Sequence, residues 1–529
     1  MAKTQVKKLS QFGIISDVEP YELPSNAWTA GKNISFTDGG VIRIQGMLPF
    51  MKPSVDDVMA IHTKDGMLYY TTKNSIQLFN GRDNINLNPK DEPEEPEPET
   101  ETYDSGLGDK EPLISSSDWT ISELSNVMIF SSDTLIPKYL PKNKYAVKDL
   151  PAWDPKWRCG NIKPYKDYLI ALGTTEQGVY YPQRIRWSDV TQPNSPPMDW
   201  DATSTTNSAG FNDLSNTKGK ILDGLELNDN FFLYTEDDVH RMEYVGGNAI
   251  FKWRKVLENV GILAKGCVCK VDGGHFVVTR NDVGVHNGNS FTSVITGMIK
   301  EQLFKEIRGS NDYRETRVIS YPAKSEVWVC YKTAGSLYYN KAAVFSTTAG
   351  VWTFRELPNM TAIQYGIVPR DSTGFIEDQD MVIDDNQNLI NEVGKDFTRA
   401  GLFMACENNT WVAVDEGYAH PTRRNIQCMI ERQYLDFDDQ GMEPDLMKQV
   451  LAVYPQVTGS GTLNVYIGVS DSPYTKPSWS RPYRFNLKRD TKADFRMTGR
   501  YISVRFESLD NSEWKLMGYA VDVKPSGGR

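Results

Sequence analysis

The chain has 529 residues, and its 58 Lys and Arg are outnumbered by 69 Asp and Glu, which gives a formal net charge of -11. That length allows two or three hydrophobic cores, because domains usually run about 100–200 residues and all-β units reach about 250. The acidic balance disfavours tight DNA binding, which depends on neutralising phosphates. The sequence contains no run of about 18 apolar residues, so no membrane span is predicted. The basic N-terminus is followed by no apolar signal sequence, so we expect a protein made and used without secretion.

Short apolar strands separated by Gly-containing turns recur through most of the chain. Turns such as Asp65-Gly66, Asn80-Gly81 and Asn287-Gly288 accept the positive φ of tight hairpins. Regular short sheets fit propeller blades better than one large sandwich, so we predict an all-β fold with a β-propeller-like platform over residues 1–419. The predicted strands include Gly66–Thr72, Asn126–Phe130, Tyr168–Leu172, Asp229–Thr235, Gly274–Thr279 and Glu326–Tyr331.

One segment, Lys90–Glu101, is composed almost entirely of proline and glutamate. Proline lacks a backbone donor and like charges repel, so this segment predicts an extended loop rather than a strand. It is either a solvated insertion or a loop that faces a partner or a channel. The candidate channel- or partner-facing acids are Asp91, Glu92, Glu94, Glu95, Glu97, Glu99 and Glu101.

From about His420 the predicted strands become longer and more regular. They favour a C-terminal antiparallel β-sandwich region over residues 420–529. The Asp/Asn-rich connector that precedes it, at 371–401, is either a long blade loop or the domain boundary. The predicted strands are Gln427–Glu431, Lys448–Tyr454, Thr462–Gly468, Arg500–Phe506 and Trp514–Tyr519. Gly459-Ser460-Gly461 predicts a hairpin turn between two of them.

No catalytic or cofactor-binding motif is present, and we predict neither a catalytic residue nor a cofactor. The acid pairs Asp237-Asp238, Asp384-Asp385 and Asp438-Asp439 are typical of turns or strand ends, because adjacent strand residues point to opposite faces. No cysteine or histidine spacing predicts a metal site. We expect the six cysteines to be reduced core thiols and the five histidines to lie at strand ends or on the surface.

Two aromatic-rich loops leave an alternative open. Trp153–Trp157 and Tyr180–Pro182 would suit stacking on sugars, although packing between blades explains them as well. The alternative to a structural role is therefore a glycan-binding or glycan-cleaving β-propeller. A monomeric scaffold of cellular origin is a third interpretation.

An ordered set of Trp, Tyr, Arg and Gly residues resembles the tail nozzle (tail-hub, or tail tubular) proteins of short-tailed, podovirus-type bacteriophages. The resemblance spans nearly the whole chain, but the proline-glutamate segment is outside the family pattern. The residues that carry it are Leu23–Trp28, Asn33–Phe36, Asp38-Gly39, Gly46, Arg184–Asp189, Trp200, Ala209-Gly210, Tyr234–Glu236, Tyr244–Gly247, Gly261, Glu326–Trp328, Trp352 and Gly499–Tyr501.

The resemblance implies a structural virion protein rather than an enzyme. Such a protein forms a homo-hexameric ring distal to the head–tail adaptor ring, retains the packaged DNA until ejection and supports tail fibre or tail spike proteins. It is made in the bacterial host cytoplasm and resides in the virion tail without a membrane anchor. Six copies would carry a formal charge of about -66, six times -11. Carboxylates on the conduit wall would let DNA pass without sequence-specific binding.

Overall fold

The computed structural model describes residues 2–51, 54, 56–89, 118–247, 249–369, 398–417, 419–421, 424–438, 441–443 and 445–526. Within these ranges the chain is mostly antiparallel β-strand, with one α-helix and several short 3-10 turns. The prediction of an all-β protein with a propeller-like platform and a C-terminal sandwich region is confirmed. The acidic segment Asp91–Glu101 lies outside the described residues, as does the predicted connector up to residue 397.

The chain begins with four strands that belong to a sandwich and a fifth that belongs to the propeller. They are β1 (Ala2–Lys7), β2 (Ala30–Lys32), β3 (Ile34–Thr37), β4 (Gly40–Arg43) and β5 (Met47–Met51).

Five four-stranded antiparallel sheets follow, each a meander of consecutive strands. Blade 1 comprises β6 (Val58–Lys64), β7 (Met67–Thr72), β8 (Ile76–Phe79) and β9 (Asn84–Asn86). Blade 2 comprises β10 (Trp119–Leu124), β11 (Val127–Ser132), β12 (Lys138–Leu140) and β13 (Lys148–Asp149). Blade 3 comprises β14 (Ile162–Tyr165), β15 (Tyr168–Glu176), β16 (Val179–Trp187) and β17 (Gly210–Asp213). Blades 4 and 5 comprise β18 (Ile221–Leu227), β19 (Asn230–Thr235), β20 (Asp238–Tyr244), β21 (Phe251–Glu258), β22 (Val268–Val271), β23 (Gly274–Val278), β24 (Val283–His286) and β25 (Phe291–Ser293).

Helix α1 (Lys300–Arg308) precedes a seven-stranded sheet that supplies two more blades. Its strands are β26 (Arg317–Tyr321), β27 (Glu326–Tyr331), β28 (Tyr339–Ser346), β29 (Val351–Pro369), β30 (Thr398–Cys406) and β31 (Thr410–Val414), with β5 at the far edge. The 19-residue strand β29 pairs with β28 up to Met360 as the last strand of blade 6, and from there with β30 as the first strand of blade 7.

The first strands of the seven blades contact one another in a closed ring. β6 contacts β10, and the contacts continue through β14, β18, β22, β26 and β29 back to β6. The described residues therefore form a seven-bladed propeller. Strand β5, from the start of the chain, completes blade 7 by pairing with β31.

The sandwich is built from both ends of the chain. Its C-terminal strands are β32 (Cys428–Leu435), β33 (Lys448–Gly459), β34 (Thr462–Ser470), β35 (Ser478–Trp479), β36 (Tyr483–Asn486), β37 (Ala493–Gly499), β38 (Tyr501–Ser508) and β39 (Trp514–Pro525). One sheet combines β1, β3 and β4 with β39, β33 and β37, while the other combines β2 with β32, β38, β34, β35 and β36. The predicted division at residue 420 places β1–β4 in the platform, whereas strand pairing places them in the sandwich. The propeller is thus an insertion between the two halves of the sandwich.

Alternation of buried and exposed side chains gives each sandwich sheet one apolar face. On β34, Leu463, Val465 and Ile467 are fully buried while the residues between them are half-buried. The predicted hairpin at Gly459–Gly461 is wrong in one respect, because β33 and β34 lie in different sheets and the turn is a corner between them.

The sandwich packs against the outer edge of blade 6. Trp352 on β29 is fully buried, its carbonyl accepts a hydrogen bond from the Ile14 amide (3.1 Å), and the Phe354 carbonyl accepts one from the Asn33 amide (2.8 Å). The hydrophobic core runs without interruption from the sandwich into blades 4 to 6 and α1. The two regions are therefore joined by backbone hydrogen bonds and a shared core.

Candidate functional site

The first strands of the propeller converge on a cavity of about 430 Å³ at one mouth of the central channel. Its lining comes from blades 1, 2, 4, 5, 6 and 7, and blade 6 contributes the largest share, from the segment before β26 and from the β27–β28 loop. Its charged lining residues are Asp57, Asp118, Lys220, Glu236, Lys265, Arg314, Glu315, Arg317 and Lys332, and its accessible apolar lining residues include Met59, Leu222 and Leu337. This volume is in the range of small-molecule sites.

Lys265 enters the cavity from the loop before β22. Its ammonium group donates to Asp118 Oδ1 (2.7 Å) and to the Gly160 carbonyl (2.8 Å). Burial lowers the pKa of Lys265, and the nearby charges of Lys163 and Arg317 lower it further, while Asp118 opposes the shift. The direction of the pKa shift is set mainly by burial, and the two neighbouring cations add to it.

The second cation near this mouth is Lys163, and the carboxylate of Asp223 pairs with it. Asp223 Oδ1 lies 3.1 Å from Lys163 Nζ and accepts the Gly224 amide (2.8 Å), and its Oδ2 accepts the Gly266 amide (3.0 Å). Burial alone would raise the pKa of Asp223, but Lys163 and the two amides bring it below the ordinary value. This carboxylate is fully engaged in holding the channel wall together.

Arg317, at the start of β26, is the third cation. It donates one hydrogen bond, from Nε to Tyr339 Oη (3.2 Å), and forms no ion pair with a carboxylate of the described residues. Glu315, two residues earlier, pairs instead with Lys332. Both terminal nitrogens of the Arg317 guanidinium are thus left without a protein acceptor in the described part of the chain.

Exposed apolar side chains surround this mouth. Leu337 lines the cavity and is 76% exposed, and Tyr313 is 42% exposed in the loop before β26. These apolar side chains, together with Arg317, suit an anionic ligand with an apolar body. Within the described ranges, no group of three His, Cys, Asp or Glu side chains is placed to hold a metal ion.

The predicted acid pairs do not belong to this site. Asp237 and Asp238 occupy the β19–β20 turn, where both backbone amides donate to Thr235 Oγ1 (3.2 and 2.9 Å). The prediction of a turn is confirmed for this pair. Asp384, Asp385 and Asp439 lie outside the described residues.

The aromatic loop at Trp153 is occupied by packing. Trp153 is 5% exposed, and its ring lies edge-to-face with Trp157 (5.7 Å between centroids) and Trp200 (4.8 Å). Arg186 covers Trp157 at 4.0 Å from the ring centroid. Packing between blades therefore accounts for this loop, whereas Tyr180 in the other loop is 53% exposed.

The predicted cysteine environment is confirmed, but the predicted strand-end or surface position is wrong for His240. All six cysteines are buried and free. His240 is buried inside β20, whereas His275 is the second residue of β23 and His286 is the last residue of β24, and both of these are buried as well.

His275 and His286 face each other across β23 and β24 and share the hydroxyl of Tyr234. The Gly288 amide donates to His286 Nδ1, so His286 Nε2 carries a proton and donates to Tyr234. Tyr234 in turn donates to His275 Nδ1, whose other nitrogen donates to the Glu226 carbonyl. Every polar atom of the three side chains is satisfied with both imidazoles neutral, and burial lowers the pKa of each histidine to about 4.

The family-like residues at Arg184 and Arg186 have a structural role. Both guanidinium groups bind the buried carboxylate of Glu176, at 2.9 to 3.0 Å, and Arg184 also pairs with Asp213 (2.8 Å). Burial would raise the pKa of Glu176, but the arginines hold it below the ordinary value. The cluster ties β15, β16 and β17 together within blade 3.

Comparisons with known proteins give fold-level likeness only. No family model and no curated protein matches the sequence. Among solved structures, the extracellular domain of a hybrid two-component system from B. thetaiotaomicron has a TM-score of 0.39 and 10% identity, covering 85% of this chain and 49% of that one. PorZ, a surface component of the type-IX secretion system of Porphyromonas gingivalis, has a TM-score of 0.34 and 9% identity over 84% of this chain and 46% of its own. The Neurospora crassa Pan2 WD40 domain has a TM-score of 0.36 and 10% identity over 71% and 96%.

The chain spans about half the length of the first two of these proteins, and their low similarity carries no information on function. No helix in the described part of the chain is long and apolar enough to cross a membrane.

Proposed function

We propose that this chain is a structural, non-enzymatic protein of a short phage tail, the hexameric nozzle ring distal to the head–tail adaptor. The observation that best supports the proposal is the insertion of the propeller between the two halves of the sandwich. Each copy is then a propeller platform and a sandwich joined by a continuous core, which is the combination that the family resemblance implies.

In this proposal the DNA conduit lies between copies and not inside one propeller. The channel mouth holds only about 430 Å³ and is crossed by the Lys265–Asp118 pair. The major groove of a DNA duplex alone is about 12 Å wide. The whole duplex is wider still and does not fit such an opening. The conduit is therefore the axis of the ring, and acidic side chains along it would repel phosphates.

Native mass measurement of the purified chain tests the proposal directly. The expected particle contains six copies of the 59.9-kDa chain, about 360 kDa, either alone or after mixing with the adaptor ring encoded by the same genome. Electron microscopy of that particle would then locate the ring axis and the acidic side chains relative to it. A chain that stays monomeric in both conditions would overturn the nozzle assignment.

Glycan binding is the outcome that would favour the alternative function. Because Trp153 is buried, the informative variant is Tyr180→Ala, which changes an exposed ring. Sugar-dependent thermal stabilisation of the native chain that is lost in Tyr180→Ala would support a glycan-binding propeller.

A further inference from the structure

The mouth of the propeller channel has a small excess of positive charge, because five cations and four carboxylates line its cavity. Lys163, Lys265 and Arg317 are close enough that the first and third both lower the pKa of the second. Asp223 pairs with Lys163 and Asp118 pairs with Lys265, so two of the three cations have carboxylate partners. Arg317 has only the phenol of Tyr339.

An anion would complete this arrangement. Arg317 is half-buried and has no carboxylate partner among the described residues, and an arginine presents a planar fork that matches the two oxygens of a carboxylate or phosphate. Tyr339 occupies one nitrogen of that fork and leaves the terminal pair available. The ammonium group of Lys265 also has capacity for one more acceptor beyond Asp118 and the Gly160 carbonyl.

The walls of the cavity add a second requirement. Met59, Leu222 and Leu337 line it beside the charged groups, and the volume of about 430 Å³ exceeds that of a simple inorganic ion. Burial of an apolar body against these side chains would add to the affinity of an anion. The ligand that fits is small, with an apolar portion and one acidic group.

We propose that the mouth cavity binds a small organic anion whose carboxylate or phosphate group contacts Arg317 and Lys265 and whose apolar portion lies along Met59, Leu222 and Leu337. This site is formed within one copy of the chain. It therefore stands or falls independently of the hexameric ring.

Calorimetric titration of the full chain tests the site, with inorganic phosphate, phenylphosphate and benzoate as probes and sodium chloride at matched ionic strength as the baseline. We expect saturable one-to-one binding, tighter for phenylphosphate than for inorganic phosphate because of the apolar wall. Binding of phosphate-bearing probes alone, or of benzoate as well, would tell which acidic group the site prefers.

Two variants and a matched control locate the binding. Arg317→Gln and Lys265→Gln are each expected to weaken phenylphosphate binding about tenfold or more, the effect of losing one charge-assisted hydrogen bond. Arg489→Gln makes the same change at a sandwich side chain that is 80% exposed and is expected to bind like the native chain. If one of these two cavity variants fails to fold, the other still tests whether the cavity binds phenylphosphate.

Two results would overturn the proposal. One is the absence of saturable binding of every probe to the native chain. The other is equal affinity of the native chain and a folded Arg317→Gln or Lys265→Gln variant.

Discussion

The propeller and the sandwich are both antiparallel, yet they are assembled from opposite kinds of contact. In the propeller, blades 1 to 5 each fold from one contiguous stretch of chain, with partners such as Lys64 and Met67 only a turn apart. In the sandwich, Ala2 pairs with Val523 and Ala30 pairs with Glu431. Distant pairing carries a larger loop-closure cost, which has to be met before the contacts form. We infer that the ring forms first and that the paired chain ends then hold it closed.

If this is correct, the interface between the two regions carries a large share of the stability. Trp352→Ala removes a fully buried ring that contacts Phe345 and donates to the Val294 carbonyl. We expect the free energy of unfolding to fall by about 3–5 kcal/mol, the usual cost of deleting a buried Trp. Denaturant titration measures it. Tyr474→Ala, at a ring that is 78% exposed, is the control and should change it by less than about 0.5 kcal/mol.

The junction through which the chain passes between the regions gives the next largest effect. Arg355 on β29 donates to Asp415 Oδ1 (2.5 Å), and Lys324 lies 2.8 Å from Asp415 Oδ2. Both members of the Arg355–Asp415 pair have side chains that are 4% exposed. Arg355→Met leaves a buried carboxylate with one partner fewer and is expected to cost about 3 kcal/mol.

A double-mutant cycle sharpens this result. Arg355→Met combined with Asp415→Asn should cost less than the sum of the two single changes, because the second change removes the uncompensated charge. Lys492→Met breaks an exposed pair with Asp494 and should leave the unfolding midpoint unchanged. Strict additivity of Arg355→Met and Asp415→Asn would show that the pair does not couple the regions.

The buried cluster of Tyr234, His275 and His286 makes the stability of blades 4 and 5 depend on pH. None of the described histidines lies in a strand of the sandwich, so the sandwich has no counterpart to this cluster. Both histidines have a folded-state pKa of about 4, against an ordinary value of 6.5. Unfolded histidines therefore bind protons first, so the stability from keeping them neutral is complete above about pH 6.5 and is lost as the pH falls to about 4. The total loss is expected to be roughly 3 kcal/mol per histidine.

Denaturation midpoints measured between pH 7 and pH 4 check this expectation. His286→Gln should show a shallower decline than the native chain over that window, since one titrating group is gone. Superimposable pH profiles of the two proteins would contradict the assignment.

The same contrast explains which parts of the fold could be predicted from the sequence. Six of the predicted strands coincide with β7, β11, β15, β19, β23 and β27, the second strands of blades 1 to 6. These strands have neighbours on both sides and are buried on both faces, so each reads as a continuous apolar run. Outer strands such as β13, with two residues, are too short to show any alternation.

Contacts between residues that are far apart in the sequence could not be predicted, because local patterns of apolar residues do not show which distant segments pair. Strands β1 to β4 gave no sign that their partners lie at the other end of the chain. Lys163, Lys265 and Arg317 come from three different blades, and only closure of the ring brings them together. His275 and His286 are the exception, because a hairpin centred on the Thr279–Asp282 turn places them opposite each other.

The smallest effect is expected where an insertion leaves the local blade contacts untouched. Deleting Asp91 to Glu101 removes like-charged and proline residues whose composition offers no core burial. The anchors on either side remain: Asn88 is buried and its side chain accepts the Ile76 amide (2.9 Å), and Asp118 keeps its pair with Lys265. Because each blade depends on its own meander, we expect the free energy of unfolding to change by less than about 1 kcal/mol. A thermal melt that shows a large loss of stability would mean that this segment packs against the propeller and that blades 1 and 2 are not independent of it.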